Sequence, residues 1–182
     1  MKLSGRFPNP RSIASRRPNG KRRIDGHENI GLNEMSIFNF LIIAALAHLF
    51  EEFVFPGGFE GEFKEMLARI NLQVTNSWLI FTNILFLSGV VFTQLNGDVF
   101  FGFTIISVAF INGLLHVGKS IQVRRYFPGL ISASFLYIPL GIYSIIGVEL
   151  TPGKKVLGIL GGLALHAFPF LLLITVLKKR DG

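Results

Sequence analysis

The chain has 182 residues, of which 50% are hydrophobic and only 16% are charged, and it contains 19 phenylalanines and no cysteine. The lack of cysteine excludes disulfides and thiolate metal ligands. The formal net charge of +7 does not indicate a nucleic-acid-binding protein, because eight of the 18 lysines and arginines lie in the first 23 residues and most of the others flank apolar blocks. Such a distribution is typical of a membrane protein that is anchored and oriented by its flanking charges.

The start of the chain differs in composition from the rest. Residues 1–34 are rich in arginine, proline, glycine, serine and asparagine and have almost no large apolar side chains, so we predict a disordered basic tail. We expect a single transmembrane domain over residues 35–178 and a short tail over residues 179–182. The sequence Ala45-Leu46-Ala47 resembles a signal-peptide cleavage site. We favour a retained helix, because cleavage there would leave the polar residues that follow at a new terminus.

The apolar residues after the tail come in blocks of about twenty, the length that crosses a bilayer. These blocks predict five transmembrane helices, at Ser36–Phe55, Trp78–Leu95, Val99–Gly118, Leu130–Leu150 and Val156–Leu177. Between the first two, Phe59–Asn71 has apolar residues at helical spacing and a charged opposite face, which predicts a short interfacial helix. The predicted fold is an all-α integral membrane bundle of five transmembrane helices, with one short interfacial helix after the first.

The charges next to the spans bear on the orientation of the bundle. Without residues 1–34, two lysines and arginines lie on one side of the membrane and eight on the other, which favours a cytoplasmic C-terminus. With the tail included, the counts become 10 and 8 and the preference is almost lost. We expect a multi-pass protein of the cell (inner) membrane with its C-terminus in the cytoplasm.

Charged groups interrupt the first predicted span. His48 lies three residues before Glu51 and four before Glu52, so the three side chains project from neighbouring positions on one side of a helix. Two carboxylates and an imidazole inside a membrane segment are unfavourable unless they face the protein interior, a partner or a bound ion. No lysine or arginine lies inside a predicted span to neutralise them. We therefore expect these three side chains to face a site inside the bundle.

Other polar residues fall at a similar depth. Because successive spans alternate in direction, the ends of spans one and three lie on the same side as the start of span two. Asn112 and His116 lie near the end of span three, Asn83 early in span two, and His166 near the middle of span five. A solitary polar residue in a membrane bundle usually makes one interhelical hydrogen bond, and we favour that role for Asn83 and Asn112. Several histidines and glutamates at matched depth instead indicate a shared site.

Imidazole and carboxylate ligands suit a divalent metal, Zn²⁺ or Fe²⁺ before Mn²⁺. The predicted metal ligands are His48, Glu52, His116 and His166. Glu51 is the predicted catalytic residue, as the general base on metal-bound water, and the two glutamates could exchange roles. The same residues could hold two metals bridged by a glutamate. Protonation of the carboxylates is a further alternative, and it would fit a proton pathway.

The segment Arg124-Arg125-Tyr126-Phe127-Pro128-Gly129 precedes the fourth predicted span. Its tyrosine is typical of the membrane interface, its arginine pair of a membrane anchor, and its Pro-Gly pair of a turn or helix start. The segment also lies on the same side as the polar cluster, where it could gate access or bind an anionic head group. Candidates for a second shell or gate are Asn83, Asn112, Arg124, Arg125 and Tyr126.

Several motifs, taken in order, resemble a known family. The sequence His48-Leu49-Phe50-Glu51-Glu52 resembles the HxxEE motif of the HXXEE-domain family of integral membrane proteins. His116 and the sequence Tyr126-Phe127-Pro128-Gly129 resemble the further histidine and the YxPG motif of that family. The resemblance covers about Phe38 to Leu177. It implies a small integral membrane domain and carries no established activity, so the chemistry has to be inferred from the residues.

The leading hypothesis is an integral membrane metalloenzyme with a site inside the bundle and a lipidic or otherwise apolar substrate. Hydrolysis through metal-activated water is the first reaction class, and oxidative chemistry on bound iron is the second. The competing hypothesis is a membrane carrier in which the same His/Glu cluster passes protons or metal ions. A third is a structural or partner-binding membrane subunit. The expected partners are the lipid bilayer and an apolar small molecule, with no nucleic acid.

Overall fold

A computed structural model describes residues 27–54, 59–68 and 75–178 of the chain, and these residues form six helices and no strand. The helices are α1 (His27–Val54), α2 (Phe59–Ala68), α3 (Asn76–Asn96), α4 (Val99–Val123), α5 (Leu130–Gly147) and α6 (Pro152–Lys178). All except α2 contain a segment that is long and apolar enough to cross a membrane. The prediction of an all-α membrane bundle with five transmembrane helices and a short helix after the first is confirmed.

The start of α1 differs from the prediction. The part of α1 that could cross a membrane begins at Ser36, but the helix itself begins at His27. Residues 27–34 are therefore helical where composition predicted a disordered tail. Composition describes what a segment does alone, whereas extending an existing helix adds hydrogen bonds without a new nucleation cost. The predicted tails over residues 1–26 and 179–182 lie outside the described residues.

Successive transmembrane helices run in opposite directions, so α1, α4 and α6 end at one membrane face, where α3 and α5 begin. We call this face the cluster face and the opposite one the far face. The helix α2 lies at the cluster face, where its buried Phe63 and Leu67 form an apolar cluster with Leu79 of α3 and Leu173 of α6. This cluster packs α2 against the start of α3 and the end of α6 at the cluster face.

The far-face connection between α3 and α4 is a tight turn. Gly97 adopts a φ of 63° at the end of α3, a left-handed conformation that glycine takes without steric cost. The side chain of Asp98 then caps α4, because its Oδ1 accepts a hydrogen bond from the backbone N–H of Phe101 at 2.6 Å. The two residues reverse the chain within a single loop.

The central helix is α4, which packs against α3, α5 and α6. Its contact with α6 is close because glycines of α6 face it. A Cβ atom added to Gly158 would lie 2.6 Å from Phe103 Cδ1, and one added to Gly162 would lie 2.7 Å from Ser107 Cβ. Small residues allow this kind of close helix packing in membranes. Because these contacts lie in the far-face half, they bring α6 against α4 on that side of the bundle.

A wide turn interrupts α5. Residues Ala133–Tyr137 form a π-helical turn, and Pro139 follows it in the first turn of the α-helix that continues to Gly147. Proline lacks an N–H group and its ring clashes with the carbonyl four residues earlier, which favours such a local widening. The turn puts Tyr137 in the core at 1% exposure. A Cβ on Gly113 of α4 would lie 3.1 Å from Tyr137 Cβ, so the glycine leaves space for the tyrosine.

Candidate metal centre

Three buried side chains meet in the cluster-face half of the bundle. His48, Glu52 and His116 are each less exposed than 4%, and one ligand atom from each lies within 4.8 Å of the others. Glu52 Oε1 is 3.2 Å from His48 Nε2 and 3.1 Å from His116 Nε2. Ligand atoms of a tetrahedral zinc, each about 2.0–2.2 Å from the metal, would lie roughly 3.3 Å apart. The two measured separations therefore suit a single bound metal, and we call the three residues the HEH group.

The sequence explains why these three residues meet. His48 and Glu52 are one turn apart on α1, so they lie on the same face of that helix. His116 lies near the end of α4, at the depth that the alternating directions of the spans predict. Ala45 of α1 and Ala109 of α4 are fully buried in one core cluster, where their small side chains suit close packing. Three of the four predicted ligands are thus brought together.

Glu51 is next to Glu52 in the sequence but has different partners. Its Oε1 accepts hydrogen bonds from the Tyr126 hydroxyl at 2.7 Å and the Ile131 backbone N–H at 2.8 Å. Its Oε2 accepts from the backbone N–H of Ser132 at 2.6 Å and from the hydroxyl of the same residue at 2.5 Å. A carboxylate has about four lone-pair sites, so four donors occupy Glu51 fully. Since two of the donors are backbone groups in the first turn of α5, Glu51 caps that helix from α1.

Ser132 connects Glu51 to the HEH group. Its hydroxyl has one proton, which it donates to Glu51, so the 2.7 Å contact between Ser132 Oγ and His48 Nδ1 requires a proton on Nδ1. That tautomer leaves a lone pair on His48 Nε2, and Asn112 Nδ2 donates to it at 3.0 Å. His48 Nε2 and Glu52 Oε1 are then two acceptors 3.2 Å apart. Such a pair needs a cation or an additional proton between its members.

The loop before α5 is joined to α1 and α2. Burial of Tyr126, and then its hydrogen bond with Glu51 and the charge of that carboxylate, raise the pKa of Tyr126, so its hydroxyl stays protonated and donates. Arg125 Nη2 lies 2.7 Å from Glu62 Oε2 of α2 in an exposed ion pair. Arg124, the residue directly after α4, has a φ of 52°. These contacts give the loop structural roles, and its gating role stays a prediction.

Gly129 covers the two imidazoles of the HEH group. It directly precedes α5 with a φ of 90°, in the region that favours glycine. A Cβ atom there would lie 2.6 Å from His116 Cε1 and 2.8 Å from His48 Cε1. The backbone of this glycine therefore packs directly on both rings, which a larger residue could not do without moving them.

We expect Gly129→Ala to weaken metal binding about tenfold although it removes no ligand, since even a small displacement of both rings disturbs the ligand geometry and supporting interactions alone are worth roughly 10–100-fold. The positive φ adds strain of order 1–3 kcal/mol for a residue with a side chain. The measurement is metal retention by purified protein against a competing chelator. Gly153→Ala is the matched control, because nothing lies within 4 Å of a Cβ at Gly153. Equal retention by the two variants would contradict the prediction.

A pocket of about 960 Å³ lies between α3, α4 and α6, and the HEH group forms part of its wall. We call it the α3–α6 pocket. Asn83 lines it from α3, where its side-chain amide donates to the Leu79 carbonyl of the same helix at 2.9 Å. Among the described residues, the HEH group thus faces a space that is walled mainly by apolar side chains.

His166, the fourth predicted ligand, also lines this pocket, but it is not part of the HEH group. It is half-buried, and its ring centroid lies 6.1 Å from that of Phe170. The reason lies in the packing of α6. Its close contacts with α4 are at Gly158 and Gly162, and the pocket separates the two helices nearer the cluster face. The structure therefore does not bring this histidine to the other three residues.

Two residues of the site were not predicted from the sequence. Ser132 lies between Glu51 and His48, and no sequence pattern distinguishes it from other serines in the spans. Tyr137 has its ring centroid 4.5 Å from that of His48. Pro139 could have signalled a local break in the helix near Tyr137, because proline in a span disturbs the preceding turn. That signal gives the position of a break but not the residue that it brings to the site.

The fold and the buried group define a class, that of multi-pass helical membrane proteins with a His/Glu group near one membrane face. Within it, residues 39–144 match the family described as "Protein of unknown function with HXXEE motif". Because the match covers more than half of the chain, the protein belongs to the HXXEE family. The matched region contains the HEH group, Glu51 and Ser132, and it ends before His166. Neither a curated protein nor a solved structure matches the chain.

Proposed function

We propose that the protein is a membrane-embedded metalloenzyme that binds a divalent metal, Zn²⁺ or Fe²⁺, at the HEH group and hydrolyses a lipidic or apolar substrate in the α3–α6 pocket. The observation that carries the proposal is the contact of 3.2 Å between His48 Nε2 and Glu52 Oε1. The hydrogen bonds of Ser132 and Asn112 make that nitrogen an acceptor, so two acceptor atoms face each other across a distance that suits a shared cation. A metal ion would satisfy both atoms, and His116 Nε2 as well, by replacing the Asn112 amide at the one lone pair of His48 Nε2.

The ligand set suits a catalytic site. Two histidines and a glutamate are three protein ligands, which is the number that catalytic zinc sites use when one position stays open for water or substrate. A metal bound here would supply Lewis-acid chemistry and would lower the pKa of a water molecule beside it. His48 also has the support typical of a metal ligand, because its other ring nitrogen donates to Ser132 and through it to a carboxylate.

The remaining residues suggest how a reaction could be assisted. The apolar walls of the α3–α6 pocket exclude bulk water and accept an apolar substrate. Glu51, the general base predicted from the sequence, accepts four hydrogen bonds, which leaves no lone pair for a proton from substrate or water. His166 lines the same pocket and has an imidazole suited to proton transfer. We assign the acid–base role to His166 and a positioning role to Glu51.

A carrier of protons or metal ions is the second candidate. The contacts of 3.2 Å and 3.1 Å from Glu52 to the two histidines would also suit a shared additional proton in place of a metal. In that case the HEH group would bind and release protons without chemical turnover. The two candidates differ in whether purified protein contains stoichiometric metal.

The test is elemental analysis of protein purified in detergent, together with a screen for lipid products in membranes that contain or lack the protein. We expect about one zinc or iron per chain and a product that depends on the protein. His166→Ala should keep the metal and lose at least roughly 10²-fold in turnover, as expected for loss of an acid–base group. A metal-free parent protein would contradict the metalloenzyme. Metal with ion flux but no product would favour the carrier.

A further inference from the structure

A stripe along one face of α4 forms much of the inner wall of the α3–α6 pocket. Pocket-lining residues recur every three or four positions from Phe101 through Ile105, Val108, Asn112 and Leu115 to Lys119. This spacing keeps them on one face of the helix. At 1.5 Å per residue the stripe is about 27 Å long, close to the roughly 30 Å thickness of the hydrocarbon core. The pocket therefore follows the membrane normal instead of lying across it.

The polarity of this stripe changes with depth as the polarity of a phospholipid does. At the cluster face, the ammonium of Lys119 donates to Gln122 Oε1 at 3.1 Å, and among the described side chains no carboxylate forms a salt bridge with it. His116 lies three residues deeper, about 5 Å along the axis. From Asn112 to Phe101 a further 16 Å or so is lined by apolar residues of α4, about the depth of one leaflet's hydrocarbon.

The pocket is also open towards the side of the bundle. Several residues that line it are about half exposed, and in a membrane they face lipid; they are Leu85 and Phe92 of α3, Leu115 of α4, and Leu165 and Phe168 of α6. The helices α3 and α6 each pack on α4, and the pocket lies between them. A lipid in the cluster-face leaflet could thus move its chain into the pocket without leaving the membrane.

We infer that the α3–α6 pocket binds one anionic phospholipid of the cluster-face leaflet, with its phosphate at Lys119 and one acyl chain along α4. An ester group just below the phosphate then lies at the depth of His116, so the substrate class is a phospholipid with an ester-linked acyl chain. Hydrolysis would break the bond between the acyl carbon and the alcohol oxygen; water adds hydroxyl to the carbon, and its proton goes to that oxygen. This reaction rests on the proposed function, whereas binding of the lipid does not.

The single tryptophan of the chain, Trp78, lines the pocket and is half-buried, so it can report the occupant. The probe is an ether-linked phosphatidylglycerol brominated on the upper carbons of its alkyl chains, added as a minor component to phosphatidylcholine nanodiscs that hold the full chain. Bromine quenches tryptophan fluorescence on contact, and the ether linkage prevents hydrolysis. Brominated phosphatidylcholine with the same linkage is the comparison. We expect phosphatidylglycerol to quench with about fivefold higher relative affinity, the effect of one lysine near an anionic lipid.

Two variants separate the pocket from the surface. Lys119→Gln should remove the preference for the anionic lipid, whereas Lys154→Gln, the same change at the far face, should keep it. Val108→Phe adds a ring to the pocket wall and should reduce quenching by the bound lipid. The inference is overturned if the parent shows no preference, if Lys119→Gln keeps it, or if Val108→Phe quenches like the parent. The measurement is repeated after chelation. A preference that persists in protein that never contains metal supports the inference and contradicts the proposed function alone.

Discussion

Replacing Glu52 with glutamine should abolish metal binding at the HEH group, the proposed metal site, while the bundle stays folded. The carboxylate supplies the oxygen that lies 3.2 Å and 3.1 Å from the two histidine nitrogens, and a neutral amide is a poorer ligand for Zn²⁺ or Fe²⁺. Glutamine has nearly the same shape, so packing of the site should change little. The loss in metal affinity should exceed the roughly 10–100-fold that removal of a supporting interaction costs, because a direct ligand is lost.

The measurement is metal per chain after dialysis, with the melting temperature in detergent as a check on folding. His48→Ala and His116→Ala should lose metal in the same way, because each removes a ligand nitrogen. Glu62→Gln is the matched control. It makes the same chemical change at the exposed ion pair with Arg125, and Glu62 is not a member of the HEH group. Parent-like metal content in Glu52→Gln would show that the HEH group is not the metal site.

Replacing Glu51 with glutamine should instead lower the stability of the folded protein. Four donors point at this carboxylate, and glutamine offers one acceptor oxygen and an amide that is itself a donor. Hydrogen bonds to charged groups are worth about 1.5–3 kcal/mol each, so a loss of about 3 kcal/mol or more is expected. For a chain of this size that is a fall in melting temperature of about 6–12 °C. His48 would also lose its fixed tautomer, with a roughly 10–100-fold loss of metal affinity.

The same variant distinguishes the two roles given to Glu51. If Glu51 is the general base, as predicted from the sequence, Glu51→Gln should lose turnover while metal content and stability stay unchanged. A positioning residue would reduce stability and metal retention together. Glu62→Gln should change the melting temperature by far less, because an exposed ion pair is worth about 0–1 kcal/mol. Ser132→Ala should weaken metal retention with a smaller loss of stability, since it removes only the hydroxyl that joins Glu51 to His48.

The sequence could predict the spans and most of the HEH group, because both depend on local pattern. Span length follows from apolar blocks, and the pairing of His48 with Glu52 follows from helical periodicity. His116 could be added from its depth alone. The sequence predicts Glu51 on the same side as His48 and Glu52, but adjacent helix residues point about 100° apart, so Glu51 contacts the start of α5 while Glu52 faces the histidines. The partners of Glu51 could not be predicted, because Ser132 is brought to it by tertiary packing, with a sequence separation of 81.

The position of His166 could not be predicted for a different reason. Depth along the membrane normal does not fix the lateral distance between two helices, which depends on where they touch. For α6 that point is set by Gly158 and Gly162 against α4, in the other half of the membrane. A histidine at the correct depth can therefore lie across a pocket from the ligands it was predicted to join.

The cap that Glu51 provides has a consequence for how the chain is assembled. Ribosomes make α1 well before α5, and Glu51 and Ile131 are 80 residues apart in sequence. While α1 alone has been synthesised, Glu51 has none of the partners that the finished bundle gives it, and Glu52 has only His48 of the same helix; an ionised carboxylate is costly in lipid. The first helix should therefore be stable as a membrane span only after the beginning of α5 has packed against it. We expect stable insertion of α1 and formation of the buried site to occur together.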